Sequence, residues 1–341
     1  MTIKEKRKNK NAKFVKPALI SGIQPTGKLH IGNYVGALKN FANLQNSGKY
    51  DCYFFVADLH SLTEEFDPGQ KPAQILDVVL NYLALGLDPK KSTVFIQSQA
   101  PAHSELCWIL NTIAPFGELG RMIQFKEKSE SQKQNINVGL FDYPVLQAAD
   151  ILLYKAEFVP VGEDQLQHLE FARTLARKFN AKFGKIFREP KPVLAETPRL
   201  MSLDDPAKKM SKSRPAGCLF IDDSPETIRE KIKKATTDSG SEIKYDFGNK
   251  PAISNLMKIY SAFSGRSPEN IEKRFKNKSY GDFKKELAEI IIADLAPFQE
   301  KKKGLERQSG KITAILKNGA QKANRVSQST MTEVKKAVGL I

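Results

Sequence analysis

Lys28-Leu29-His30-Ile31-Gly32-Asn33-Tyr34 joins a short apolar strand, Ala18-Leu19-Ile20-Ser21, to an amphipathic helix expected over residues 32–44. Tyr34, Leu38, Phe41 and Leu44 recur there at helical spacing, and Gly22, Pro25 and Gly27 punctuate the turn before it. A histidine at such a junction can donate to phosphate oxygens. The helix N-terminus behind it adds backbone N–H groups and a positive dipole end. The same unit recurs downstream. Strands are expected over 53–57, 93–97 and 158–161, and helices over 72–85, through Leu106, Ile109, Leu110 and Ile113, and over 164–179 with Asp164 as N-cap. This β-then-α order predicts an α/β fold, a Rossmann-type parallel sheet with helices on both faces. Ligands of such sheets lie outside the carboxyl ends of the strands, where Ser21-Gly22 and Gly162-Glu163 fall.

Lys208-Lys209-Met210-Ser211-Lys212-Ser213 follows Pro206 on an expected loop. Lysine ammoniums are point charges that can follow a phosphate through a reaction. A solvated basic linker would explain the run in isolation, and its pairing with His30 favours phosphate handling. A P-loop is excluded, because Leu29 stands where that motif requires a serine or threonine after Lys28. In Tyr143-Pro144-Val145-Leu146-Gln147-Ala148-Ala149-Asp150-Ile151-Leu152-Leu153-Tyr154, helical spacing puts Asp150 on one face with Tyr143, Leu146, Gln147, Leu153 and Tyr154. A carboxylate there needs donors. It is either a buried hydrogen-bond anchor or an acceptor waiting for a ligand's N–H or O–H. In Gly162-Glu163-Asp164-Gln165 the glycine permits close backbone approach, and the carboxylates suit ribose hydroxyls or an ammonium.

At 341 residues the chain exceeds the ~250–300 at which single cores stop growing, so two structural units are expected. Hydrophobic residues make up 40% and charged residues 27%, which fits a globular protein. The net charge of +16 supports a polyanionic partner such as nucleic acid. Part of it is local: Lys4, Lys6, Arg7, Lys8, Lys10, Lys13 and Lys16 against Glu5 make residues 1–16 a basic tail, expected to be disordered. It either touches RNA phosphates or serves solubility. Cys52, Cys107 and Cys218 are scattered, as for reduced thiols in a cytoplasmic protein, and no metal-ligand set is evident. No stretch nears the ~18 apolar residues that span a bilayer, and no signal peptide is evident, so no membrane association is expected. Beyond the break at Pro215-Ala216-Gly217, helical patterns at 228–232, 255–263, 283–295 and 312–316 replace strand signals, and basic residues crowd 271–285 and 301–317.

Taken together, these segments identify a resemblance to the class I aminoacyl-tRNA synthetases, and within them to the bacterial-type tryptophanyl-tRNA synthetases from Leu19 to about Leu340. It is carried by Ser21 to Gly27, His30 to Leu38, Met122 to Ser129, Ala148 to Tyr154, Val159 to Gln165 with His168-Leu169-Glu170, and Met201 to Ser213. Gln24-Pro25 with Gly32-Asn33-Tyr34 is similar to the tryptophan enzymes, whereas tyrosyl relatives usually keep a second histidine where Asn33 stands. After the basic tail at 1–16, the resemblance implies a Rossmann catalytic domain at 17–214, a helical anticodon-binding domain at 215–305, and a C-terminal helical segment at 306–341 packing back on the catalytic domain. It implies ATP contacts at Gln24, Pro25, Thr26, Gly32, Asn33, Gly162, Glu163, Asp164, Leu200, Lys209, Met210, Ser211, Lys212 and Ser213. Asp150 would accept the indole N–H, with Tyr143, Gln124, His60, Gln165 and Gln147 around the amino acid. His30, Lys209 and Lys212 would stabilise charge during transfer. The activity implied is ATP- and Mg²⁺-dependent charging of L-tryptophan onto tRNA(Trp) by a cytoplasmic homodimer.

Departures from the family pattern are Gln147 for a usual methionine beside the indole, Ala57 for a larger apolar residue, Gly120 at a usually acidic position, and Arg214 for aspartate. The segment 186–199 is also shorter than usual. Rival readings are a tyrosyl-tRNA synthetase, a small-molecule adenylyltransferase, and a catalytically silent RNA-binding paralogue. The helical C-terminal module argues against the second, and intact His30, Lys209, Lys212 and Asp150 against the third.

Overall fold

The structure is a computed structural model describing residues 16–123, 136–194 and 199–341. All but the last residue of the expected basic tail lies outside the described residues. Five strands, β1 (Ala18–Ile23), β2 (Asp51–Val56), β3 (Ser92–Ile96), β4 (Phe158–Val161) and β5 (Lys191–Leu194), form one parallel sheet in the order β3-β2-β1-β4-β5. β2 and β3 are almost continuously apolar because both faces of the sheet are covered. Alternate residues face opposite ways. Leu19, Phe54 and Val94 join one apolar cluster, and Ile20, Tyr53, Phe55 and Phe95 the other.

The first face is covered by α1 (residues 31–46) and α2 (Lys71–Ala84). The second is covered by α3 (Ala102–Asn111), α4 (Val138–Leu152) and α5 (Leu166–Phe183). α1 is not uniform, for Tyr34–Leu38 form a π turn between the short α turn Ile31–Asn33 and the α-helical Lys39–Asn46. Such insertions re-aim side chains and recur at functional sites. α5 begins at Leu166 with Gln165 as its N-cap residue. Asp164 therefore does not cap it, contrary to expectation, but lies inside the preceding 3₁₀ turn Glu163–Gln165.

β5 carries no sequence signal, being short, mostly exposed and interrupted by Pro192, a residue tolerated at a sheet edge because it lacks an N–H. Pro160 matters more. β1 and β4 pair at Leu19 and Phe158, whereas β1 and β2 stay in register along their whole length. Pro160 has no N–H to give the ladder, and the two strands part beyond it at the point where the strand order reverses. That gap is where a ligand cleft is expected.

After residue 214 the described chain is helical: α6 (Pro225–Lys234), α7 (Pro251–Ser264), α8 (Pro268–Arg274), α9 (Tyr280–Glu306) and α10 (Ser309–Val338). Ser279 and Asp282 close a capping box at the start of α9. Ile253, Tyr260, Phe283 and Leu287 continue the same apolar cluster that covers the first sheet face. Backbone bonds from Ile31 N–H to Leu219 O (2.9 Å) and from Ile221 N–H to Leu29 O (3.1 Å) tie the segment after Gly217 to the His30 turn. α10 lies on edge strand β3. A Cβ built on Gly319 would stand 1.8 Å from the Val94 carbonyl oxygen, so only glycine permits this approach. Asn324 donates to Gln99 O at 2.7 Å, and Lys335 pairs with Glu105 at 2.5 Å. Among the described residues no helix is long and apolar enough to cross a membrane.

Candidate functional site

A cleft of about 1330 Å³ opens between β1 and β4 at their carboxyl ends. Gln24, His30, Gly32, Asn33, His60, Tyr143, Gln147, Asp150, Gly162, Glu163, Asp164, Gln165, Leu200, Lys209 and Met210 line it, so most of the residues expected from sequence converge here. Pro25, Thr26, Ser211, Lys212 and Ser213 are not on its wall. Gln124 lies outside the described residues. Gly36, Ala37 and Asn40 extend the wall along α1, and Tyr245, Lys258 and Ser261 bring the helical region to its rim.

His30 is the N-cap of α1. Its Nδ1 accepts from Gly32 N–H at 3.0 Å while its own N–H donates to Asn33 Oδ1 at 3.1 Å. With Nδ1 occupied as an acceptor, Nε2 carries the ring hydrogen. Burial lowers the imidazole pKa to about 4, and the ammoniums of Lys212 and Lys209 push in the same direction. The ring is therefore a neutral donor with one N–H to give. A side chain at position 32 would meet the ring, its Cβ 2.8 Å from His30 Cε1, which explains the glycine.

Lys212 Nζ donates to Thr26 Oγ1 at 3.2 Å and to Gly27 O at 3.5 Å, bridging 186 and 185 residues of chain. Pro25, Thr26 and Lys212 thus form a contiguous patch beside the cleft, although none is on its wall. Burial lowers the Lys212 pKa from its ordinary value, with Glu64, Cys218 and Asp77 opposing. Lys209 is mostly exposed, and its Nζ is 3.9 Å from Asp164 Oδ2. Ser211 and Ser213 hydroxyls meet at 3.0 Å. Arg214, where the family pattern has aspartate, pairs at 3.5 Å with both Asp204 and Asp205. In the turn after β4, a Cβ on Gly162 would lie 2.7 Å from Asp164 Oδ1.

The floor of the cleft is a buried polar cluster on α4 and its neighbours. Asp150, 2% exposed, accepts from His60 Nε2 at 2.8 Å through Oδ2, and from Gln97 Nε2 at 2.7 Å and His103 Nδ1 at 2.6 Å through Oδ1. Burial pushes its carboxyl pKa up. The His60 and His103 interactions more than offset this, leaving it below the usual carboxylate value and the group ionised. Tyr143 Oη meets His168 Nε2 at 2.7 Å. Gln147 lies one turn before Asp150 on the wall.

Gln97 and His103 escape sequence reasoning, although a signal exists. The chain has four histidines, and His30, His60, His103 and His168 each follow one of the first four strands. Parallel order gathers all four at the carboxyl edge of the sheet. Among the described residues no group of three or more His, Cys, Asp or Glu side chains could hold a metal ion.

The family model "tRNA synthetases class I (W and Y)" matches residues 13–296. The tryptophan–tRNA ligase of Caldanaerobacter subterraneus subsp. tengcongensis is 48% identical over 326 residues, covering 95% of this chain and 98% of that protein. The crystal structure of the tryptophanyl-tRNA synthetase of Mycoplasma pneumoniae superposes with a TM-score of 0.87 at 36% identity, covering 95% of this chain and 98% of that one. That of Campylobacter jejuni, complexed with ADP and tryptophan, gives 0.80 at 35% identity, over 94% and 99%.

Proposed function

The chain belongs to the bacterial-type tryptophanyl-tRNA synthetases of class I, and on that premise we propose how its cleft carries out the ligase reaction. It is a tryptophan–tRNA ligase: ATP activates L-tryptophan, and the aminoacyl group passes to tRNA(Trp). Tryptophan lies with its indole on the Asp150 floor, between Tyr143, His60, Gln147 and Gln165. ATP lies across the His30 turn, its adenosine against Gln24, Gly32, Asn33, Gly162, Glu163, Asp164 and Leu200. The carboxylate of tryptophan attacks the α-phosphorus, pyrophosphate leaves, and a ribose hydroxyl of the tRNA 3′-terminal adenosine then attacks the acyl carbon. No protein nucleophile takes part.

Catalysis is positioning and charge stabilisation. The Nε2–H of His30 donates to a phosphate oxygen without adding charge, while Lys209 and Lys212 supply the cations on which negative charge collects. Mg²⁺ enters with ATP as the metal–nucleotide substrate. The observation that carries this reading is the Lys212 bridge to Thr26, which joins the two phosphate-handling segments beside one cleft floored by an ionised, buried carboxylate. ATP–pyrophosphate exchange with each of the twenty amino acids tests it. Tryptophan alone should support fast exchange, Asp150→Asn should weaken it sharply, and equal exchange with tyrosine would overturn the pocket assignment.

The basic cavity formed by Arg266, Lys273, Arg274 and Lys278 on the helical region supports tRNA binding there, through phosphate contacts that salt weakens. Among the described residues Trp108, Phe116 and Val138 are 74–81% exposed around α3 and the start of α4. This apolar face supports a homodimer, because such patches are rarely left to water.

A further inference from the structure

We infer that His103 is a positioning residue for tryptophan: through Nδ1 it fixes the Asp150 carboxylate so that Oδ2 presents a lone pair to the indole N–H. The inference rests on the reading of Asp150 as the group that receives that N–H. An ionised carboxylate offers about four acceptor positions, two on each oxygen. Gln97 and His103 take both positions on Oδ1, and His60 takes one on Oδ2. His60 and Asp150 line the cleft, whereas His103 is fully buried behind them. The two oxygens are therefore not equivalent. Oδ1 is saturated from the protein interior, and Oδ2 keeps one position on the cleft side.

The bond directions follow from chemistry. A carboxylate oxygen accepts only, so His103 Nδ1 carries the hydrogen in the 2.6 Å contact. His103 Nε2 stands 3.0 Å from Tyr154 Oη. With the ring hydrogen on Nδ1, Nε2 of the neutral imidazole is bare, so Tyr154 donates and Nε2 accepts. Tyr154, His103 and Asp150 thus form a one-way chain of hydrogen bonds. It sets the tautomer of His103 and blocks rotation of the carboxylate. Tyr154 is itself wedged against Tyr53 and Phe95, at 4.9 and 5.7 Å between ring centres, which anchors the chain at its inner end. Without the His103 donor, Oδ1 keeps Gln97 alone, and the carboxylate can turn and satisfy itself away from the substrate.

The test compares tryptophan with 3-(3-benzothienyl)alanine, in which sulfur replaces the indole N–H, as substrates for pyrophosphate exchange. A hydrogen bond to a charged partner corresponds to roughly 10- to 100-fold. Wild type should prefer tryptophan in kcat/KM by that factor, chiefly through KM. His103→Leu should erase most of the preference by raising KM for tryptophan while leaving the analogue and the KM for ATP nearly unchanged. His103→Asn, whose amide reaches the Nδ1 position, should restore it, and His103→Gln, whose amide reaches the Nε2 position, should not. Equal use of both substrates by wild type overturns the reading of Asp150 itself. Discrimination by wild type that survives in His103→Leu overturns the role of His103. Should His103→Leu fail to fold, the Asn and Gln variants decide, and equal behaviour of those two overturns the proposal.

Discussion

Replacing Gly319 by alanine puts two opposed effects on one atom. Within a helix alanine is favoured over glycine by about 1 kcal/mol, so helix propensity alone predicts a more stable protein. The packing of α10 on β3 predicts the reverse. The added methyl would stand 1.8 Å from Val94 O, 2.8 Å from the Val94 carbonyl carbon and 3.5 Å from Phe95 Cβ. Carbon rests against a carbonyl oxygen at about 3.3 Å, so the helix must retreat by roughly 1.5 Å. A gap of 0.5–1 Å already forfeits about a quarter to a half of each dispersion contact. The contacts at stake are those of Ile312, Ala323, Met331 and Val334, all buried along α10. The Val94 carbonyl belongs to the backbone of β3, which is paired in register with β2 along its length, and it cannot move aside as a side chain would. Overpacking of this kind costs about 1–3 kcal/mol or more, which exceeds the propensity gain. Gly319→Ala should lower the thermal midpoint by roughly 2–6 °C. Gly310→Ala is the control, because it is in the same helix with nothing within 4 Å of the new methyl, and it should be neutral or stabilising. Calorimetry of the two variants beside wild type checks the prediction. Equal midpoints for the two would refute the idea that the helix sits flush on the strand because residue 319 is glycine.

Further outcomes follow from the site and from the exposed face around α3. Lys212→Ala should slow pyrophosphate exchange by ~10²-fold or more with tryptophan binding nearly intact, since its contact strengthens as charge develops; a normal exchange rate would remove it from catalysis. His30→Asn keeps an N-capping oxygen but loses the Nε2 donor, so exchange should fall ~10²-fold while the thermal midpoint holds. The same variant tests linkage. Wild-type His30 titrates near 4 when folded against an ordinary 6.5, so the unfolded chain takes up the proton first and wild type loses stability as pH falls from about 6.5 towards 4. That loss, on the order of 2–3 kcal/mol, should shrink in His30→Asn when unfolding is measured across this window. Trp108 is the chain's one tryptophan and is 74% exposed in the isolated chain, so its emission should shift to the blue as protein concentration rises through dimer formation; emission that stays water-like in a dimer sized by ultracentrifugation would place the interface elsewhere.

The layout of strands and helices around His30 and Asp150 is legible in the sequence, because period-two and period-3.6 patterns are local and the punctuating Gly and Pro residues stand between them. β5 is not legible, since four residues with a proline and little apolar content carry no pattern until β4 is beside them. The π turn in α1 is hidden for a different reason. Its side-chain spacing mimics an ordinary helix, and the π turn shows only in the backbone of Tyr34–Leu38. Asp150 stands out as a carboxylate in an apolar helix, whereas its partners Gln97 and His103 lie 53 and 47 residues away and meet it only through strand order. The N-cap expected of Asp164 fails because the chain inserts a 3₁₀ turn before α5, moving the cap one residue along.

The cap formed by His30 has a consequence for how the enzyme tolerates acid and alkali. An imidazole on a loop would trade its proton with solvent near neutrality, and a phosphate donor built that way would switch off on one side of its midpoint. Here Gly32 N–H claims Nδ1 from within the fold, and the helix start cannot form unless that nitrogen is bare. Folding, rather than solvent, decides where the single hydrogen of the ring sits. The donor is thus the same species from mildly acidic to alkaline conditions, and evolution cannot retune its protonation without also redesigning the first turn of α1.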